Sequence, residues 1–302
     1  MSIRASATAE SLGATALEPE VAAAVGPSLA LRRLLHHRSA AAGLGVLGVY
    51  ILAGLLGPLL FPFNPAQNHL VDVFLPPGRP GHLLGTDNYG RDELLLILNG
   101  MRYTLSLGLL AVAIGLVVGV PLGAISGYFG GWVDIVIQRF TDVLLAFPSI
   151  VLALALVAGL GPGLRNVVIA VGVSSVPAFI RLVRADTLRL RELAFVEAAR
   201  ALGAPPARIL LRHVIANALA PVIVQATLQM GFAILVAAGL GFFGLGVQPP
   251  TPEWGELLGE ARNYIFSDPK LATFPGLAIF GAVLAFNLVG DGLRDVLDPR
   301  LR

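Results

Sequence analysis

The chain has 302 residues, 56% hydrophobic and 13% charged, with a formal net charge of +2, where a soluble domain carries about 25% charged residues. A mean hydropathy of +0.79, with charges bunched between long uncharged runs, excludes a water-soluble core in a charged shell and points to burial in lipid. The 20 Arg and single Lys are too few and too scattered for a nucleic-acid footprint, and the absence of Cys excludes disulfides and thiolate metal sites.

Residues 1–30 are Ala-rich, carry Glu10, Glu18 and Glu20, and lack the cationic start, apolar run and cleavage site of a signal peptide, which predicts a flexible tail. A helix crossing about 30 Å of hydrocarbon needs about 20 apolar residues, and the charge-free runs give six such spans. The first, 40–61, follows Arg32, Arg33 and Arg38 and ends at the FPFNP punctuation. Beyond it, the sequence GTDNYGRD at 85–92 offers Thr86 or Asp87 as the cap of a helix beginning near Tyr89. The second span lies within 103–133 and ends near GYFGG. The third runs over 142–160, with Asp134 and Asp142 at the rim of its inner end. The fourth fits between Arg165 and Arg181 only if both guanidinium groups snorkel to the headgroups.

The fifth span falls within 221–247 and the sixth within 271–289. Between them, Trp254 in PPTPEWG reads as an indole anchored in the headgroup zone. Six crossings put both termini on one side. That side would collect 15 of the 21 basic residues, leaving Arg79, Arg91, Arg102, Arg165, Arg262 and Lys270 on the other, so both ends are predicted to be cytoplasmic. The chain divides into a cytoplasmic tail (1–30), a first span with an external segment (31–101), a transmembrane domain (102–292) and a C-terminal cytoplasmic tail (293–302).

The sole Lys, Lys270, follows Pro269, so no phosphate-binding loop of the G-x-x-x-x-G-K-[ST] type exists in this chain. Every Asp and Glu falls outside or at the rim of the six spans, so no carboxylate sits at membrane depth to couple transport to protons or sodium. The longest cytoplasmic connection contains EAARALGAPPARILLRHVIANALAP at 197–221, which describes two short helices and a sharp turn. Gly203 suits a left-handed C-terminal position, and Pro205 and Pro206 suit the first turn of the second helix. There Leu211, Ile215 and Leu219 recur every fourth residue, with Arg208 and Arg212 on another face. Read from residues alone, this is an amphipathic elbow at the membrane surface, either a passive connector or a docking handle.

The spacing of Glu197, Ala198, Ala199 and Gly203 resembles the EAA loop of the inner-membrane permease subunits of ABC importers, specifically the dipeptide, oligopeptide and nickel type. GTDNYGRD at 85–92, FGLGVQPPTPEWG at 243–255 and NLVGDGLRDVLDPRL at 287–301 resemble stretches of the C-type permease of that group. The resemblance covers the chain from about Arg32 to its end. It implies an all-α membrane protein with six transmembrane helices and the type I importer permease fold. It also implies partners: a second permease, two ATPase subunits holding ATP and Mg, and an external solute-binding protein, all at the bilayer of the inner membrane. Glu197, Ala198, Ala199, Gly203, Arg208 and Arg212 would then couple the chain to its ATPase. The family commonly has a proline shortly after its His-Val pair, whereas here Ile215 and Ala216 follow His213 and Val214, which predicts a straighter second helix.

The polar residues within spans, Ser174 and Ser175 in the fourth, Gln225 and Gln229 in the fifth and Asn287 in the sixth, are candidates for a substrate path or for helix-to-helix hydrogen bonds. No catalytic, cofactor or metal site is expected in this chain. The functional alternative is a passive channel or membrane scaffold without ATPase coupling.

Overall fold

A computed structural model describes residues 27–297, and these residues form helices joined by turns, with no sheet among them. In chain order the helices are α1 (Pro27–His36), α2 (Arg38–Leu60), α3 (Glu93–Phe129), α4 (Gly131–Leu145), α5 (Ser149–Leu160), α6 (Leu164–Leu190), α7 (Ala194–Ala201), α8 (Pro206–Ile209), α9 (Ala216–Phe242), α10 (Trp254–Ala261) and α11 (Lys270–Leu297). A six-residue π-helical turn, Leu210–Ile215, joins α8 to α9. The run Pro206–Phe242 is therefore one 37-residue helix. Five helices are long and apolar enough to cross a membrane, and α4 with α5 makes a sixth crossing if the bent pair counts as one.

Two spans differ from the sequence reading. The third, expected as one helix over 142–160, breaks between Leu145 and Ser149, and its two halves meet at 88°. Pro148 is the cause: it has no N–H to continue the ladder and disfavours a helical Phe147, and its own backbone is extended at φ −52°, ψ 135°. The 12 residues of α5 reach only about 18 Å. The second span begins at Glu93, ten residues before the charge-free run. Its cap is Asp92, whose carboxylate accepts the Leu95 N–H at 3.0 Å; Thr86 and Asp87 cap no helix, and no separate helix starts near Tyr89.

Helix α6 is the axis of the bundle, with the most deeply buried apolar window of the spans. Against it α3 presents a glycine every fourth residue, Gly115, Gly119, Gly123 and Gly127. A Cβ added at Gly119 would lie 2.6 Å from the Phe179 Cβ and 2.9 Å from the Val176 carbonyl oxygen; at Gly123 it would lie 2.6 Å from the Ile180 carbonyl oxygen. The two backbones thus touch, the arrangement by which membrane helices gain dispersion contacts when lipid supplies no hydrophobic drive. Mid-bundle, Leu107, Val112, Val157, Val171, Phe179 and Leu240 form a common core.

Element limits also shift the expected divisions. Helix α11 runs on to Leu297, five residues into the stretch read as a C-terminal tail, and α3 crosses the boundary placed at 101/102. Within the expected N-terminal tail, residues 27–30 belong to α1; residues 1–26 and 298–302 lie outside the described part.

Candidate functional site

The elbow is built from the end of α6 downward. After Arg191 the chain turns, Leu193 is extended (φ −83°, ψ 145°), and α7 begins. Helix α7 buries Val196 and leaves Glu197 and Ala198 exposed, with Ala199 half-buried. Gly203 stops it at φ +76°, its N–H donating to the Arg200 carbonyl (3.0 Å) and that of Ala204 to the Ala199 carbonyl (3.1 Å). A Cβ at Gly203 would meet nothing within 4 Å, so the position requires glycine for its backbone angle and not for space. Pro206 then opens α8 in its first turn.

Three expectations for the elbow change. Its second arm, expected as a short helix joined rigidly to the fifth span, is the end of that span itself. The stripe Leu211, Ile215, Leu219 is not the buried one: Leu211 is 67% and Leu219 47% exposed, while Leu210, Val214, Ala218 and Val222 are buried. Two adjacent leucines make both stripes apolar, and contact with Val183, Leu190 and Val196 selects the earlier one. Finally, the helix passes through Ala216 unbroken as expected, but the π-turn just before it departs from regular α geometry. Arg208 and Arg212 are exposed, and the His213 ring leans on Phe195 of α7 at 6.3 Å.

The polar residues of the spans do not converge on one cavity. Gln229 and Ser175 are buried and bond across α9 and α6, the Gln229 Nε2 donating to the Ser175 Oγ at 3.0 Å. The hydroxyls of Ser174 and Ser175 both donate to the Val171 carbonyl, at 2.8 and 2.9 Å. Gln225 faces a groove of about 500 Å³ shared with Asp186, Arg189 and Arg294. Asn287 is half-buried in α11.

Two features at opposite ends of the bundle were not anticipated. At the elbow end, Asp134 of α4 receives Arg184 of α6 in a bidentate pair, Nε at 2.6 Å and a second nitrogen at 2.7 Å, and Asp142 pairs with Arg181 at 3.0 Å. At the other end, the 85–92 stretch meets α10, the helix that follows PPTPEWG. The buried Arg91 donates to Asp87 (2.6 Å) and to Glu260 (2.5 Å), while Asp87 also accepts the N–H groups of Tyr89 and Arg91, each at 2.8 Å. Thr86 accepts from Leu75 N–H at 2.9 Å and donates to the Asp72 carbonyl.

Trp254 is fully buried, not interfacial. Its indole N–H donates to the Ile97 carbonyl at 3.0 Å, its ring sits edge-on to Tyr50 at 5.8 Å, and Gly100 gives it room on α3. Beside it, Glu253 caps α10 by accepting from Gly255 and Glu256 N–H, and takes a 2.8 Å bond from the Thr104 hydroxyl. Glu256, also buried, has an oxygen with no partner. Desolvation, and then the adjacent Glu260, push its carboxyl up to about 9.

The chain matches two family models: the binding-protein-dependent transport system inner membrane component over residues 119–302 and the N-terminal TM domain of oligopeptide transport permease C over residues 28–77. It is 46% identical over 273 residues to a dipeptide transport system permease protein of Alkalihalophilus pseudofirmus, covering 90% of each chain. It is also 46% identical over 272 residues to a glutathione transport system permease protein of Pectobacterium atrosepticum, again covering 90% of each. Among solved structures, inward facing conformations of the MetNI methionine ABC transporter match with a TM-score of 0.55 at 21% identity, over 67% of this chain and 97% of that one. An amino acid ABC transporter with histidines matches with a TM-score of 0.51 at 19% identity, over 65% and 91% of the two chains.

Proposed function

The chain belongs to the inner membrane components of binding-protein-dependent transport systems, as a multi-pass permease subunit with the ABC importer fold, and we propose that it carries peptides. Its share would be half of a pathway for a di- or oligopeptide or a related solute such as glutathione, completed by a second permease. An external solute-binding protein would deliver the solute. Two partner ATPase subunits, holding ATP and Mg, would supply the work through the elbow at 197–221, with Glu197, Ala198, Ala199, Arg208 and Arg212 facing them. Both termini then lie in the cytoplasm, the side on which arginine accumulates.

One observation carries this reading over a passive channel or scaffold: the elbow's second arm runs on into the fifth span as one continuous helix, so force applied to the loop reaches the membrane core with no intervening loop. Glu197 and Ala198 stand exposed on the arm before the turn, as a docking surface requires.

The test is Gly203→Val beside Gly203→Asn in the reconstituted transporter. A β-branched residue at φ +76° is strained by about 1–2 kcal/mol, whereas Asn tolerates that region. Gly203→Val should insert normally and lose ATP-dependent uptake, with Gly203→Asn retaining most of it. Normal uptake by the valine variant would remove the coupling role, and solute flux without ATP or an ATPase partner would favour the channel.

A further inference from the structure

Helix α4 is barely embraced by the rest of the chain. Trp132 is 80% exposed, and Val136, Phe140 and Val143 also face outward, so apolar packing does little to fix where this half of the third span points. Polar contacts fix it instead. Asp134 and Asp142 stand eight residues apart, two turns along one face of α4, and meet Arg184 and Arg181 of α6. The Ser126 hydroxyl at the end of α3 donates to Asp134 at 2.5 Å, and the Gln138 amide donates to that hydroxyl at 2.9 Å. Arg191, at the C-terminal cap of α6, donates to the Gly127 carbonyl of α3 at 2.8 Å.

The arginine partners Arg181, Arg184 and Arg191 lie on the last turns and C-terminal cap of α6, just before the elbow. Arg184 is six residues from Leu190, where α6 ends, about 9 Å along the helix, and α7 begins at Ala194. The other half of the third span, α5, is apolar and packs in the mid-bundle core through Ala153 and Val157. A displacement of the elbow therefore has a direct polar route to α4, and through it to the break at Pro148.

We infer that Asp134 and Arg184, seconded by Asp142 and Arg181, are positioning residues for transport: a clasp that makes the broken third span follow the elbow. The inference rests on the elbow being the ATPase-coupled handle. A bidentate guanidinium-carboxylate pair suits this task because it fixes orientation as well as distance. An apolar contact in the same place would hold α4 against α6 but let it slide.

The experiment uses the complete transporter, with partner permease, ATPases and binding protein, in proteoliposomes, and reads uptake and ATP hydrolysis separately. Asp134→Asn should lower uptake about tenfold, the scale of a lost coupling contact, while ATP hydrolysis continues. The exchange Asp134→Arg with Arg184→Asp should recover most of the uptake. Wild-type uptake in Asp134→Asn overturns the proposal, as does a parallel fall of uptake and hydrolysis that the exchange does not repair. If Asp134→Asn fails to assemble, Arg181→Gln at the exposed end of the clasp takes its place, with about a threefold loss of uptake expected and wild-type uptake again overturning it. Gly203→Val run alongside separates the two ideas: normal uptake there removes the elbow's role, whereas lost uptake in Gly203→Val beside normal uptake in Asp134→Asn removes the clasp alone.

Discussion

Replacing Glu256 by Gln should stabilise the protein and flatten its pH profile. The buried carboxyl is pushed up from 4.5 to about 9, so between those values the folded chain holds a proton that the unfolded chain has released. Stability then falls as pH rises through this window, by about 1.4 kcal/mol per unit, and is level below 4.5 and above about 9. At pH 7 the accumulated loss is about 3 kcal/mol. An amide keeps the shape, remains a donor for Glu260 and never ionises, so Glu256→Gln should recover most of that loss. Thermal unfolding of the purified protein in detergent from pH 5 to 9 measures it. The wild type should lose several degrees across the range and the variant less, with the curves meeting near pH 5. Parallel profiles, or a variant less stable throughout, would refute the reasoning and mean that Glu256 is ionised where it lies.

Gly119→Leu should cost about 2 kcal/mol or more, because the added carbon collides with the α6 backbone. Gly45→Ala, where a Cβ meets nothing within 4 Å, should change stability by less than about 0.5 kcal/mol; detergent melts of the two variants make the comparison. Trp254→Phe keeps one aromatic ring but leaves a cavity in place of the rest of the fully buried indole and deletes the bond to the Ile97 carbonyl, for an expected loss of about 2 kcal/mol or more, read in the same melts. Uptake should survive that change if Trp254 is a packing residue, and its loss at unchanged stability would give the residue a part in transport.

What could be read from residues alone follows the range of the interactions concerned. The spans at 40–61, 221–247 and 271–289 were legible because lipid burial acts on each segment separately. Gly203 and Pro206 were legible because a left-handed turn and a helix start are local demands. The break at Phe147–Pro148 was visible in the sequence, but a search for uncharged runs passes over a proline. The start of α3 was hidden because counting charges excluded Glu93 and Arg102, which the helix accommodates at its end. The meeting of Arg91 with Glu260 spans 169 residues, and nothing around either residue names the other. Trp254 was misplaced for the same reason, since its partner is a backbone carbonyl on α3.

The unbroken run Pro206–Phe242 is a lever as much as a span. Its 37 residues measure about 55 Å, longer than the hydrocarbon is thick, so one end stands clear of the lipid. A tilt of about 10° about its middle would carry the two ends roughly 5 Å in opposite directions. A pull that narrows the bundle at the loop would, by the same rotation, widen it at the far end. Opposite movements at the two ends then need no messenger between them, only a rod stiff enough to have two ends.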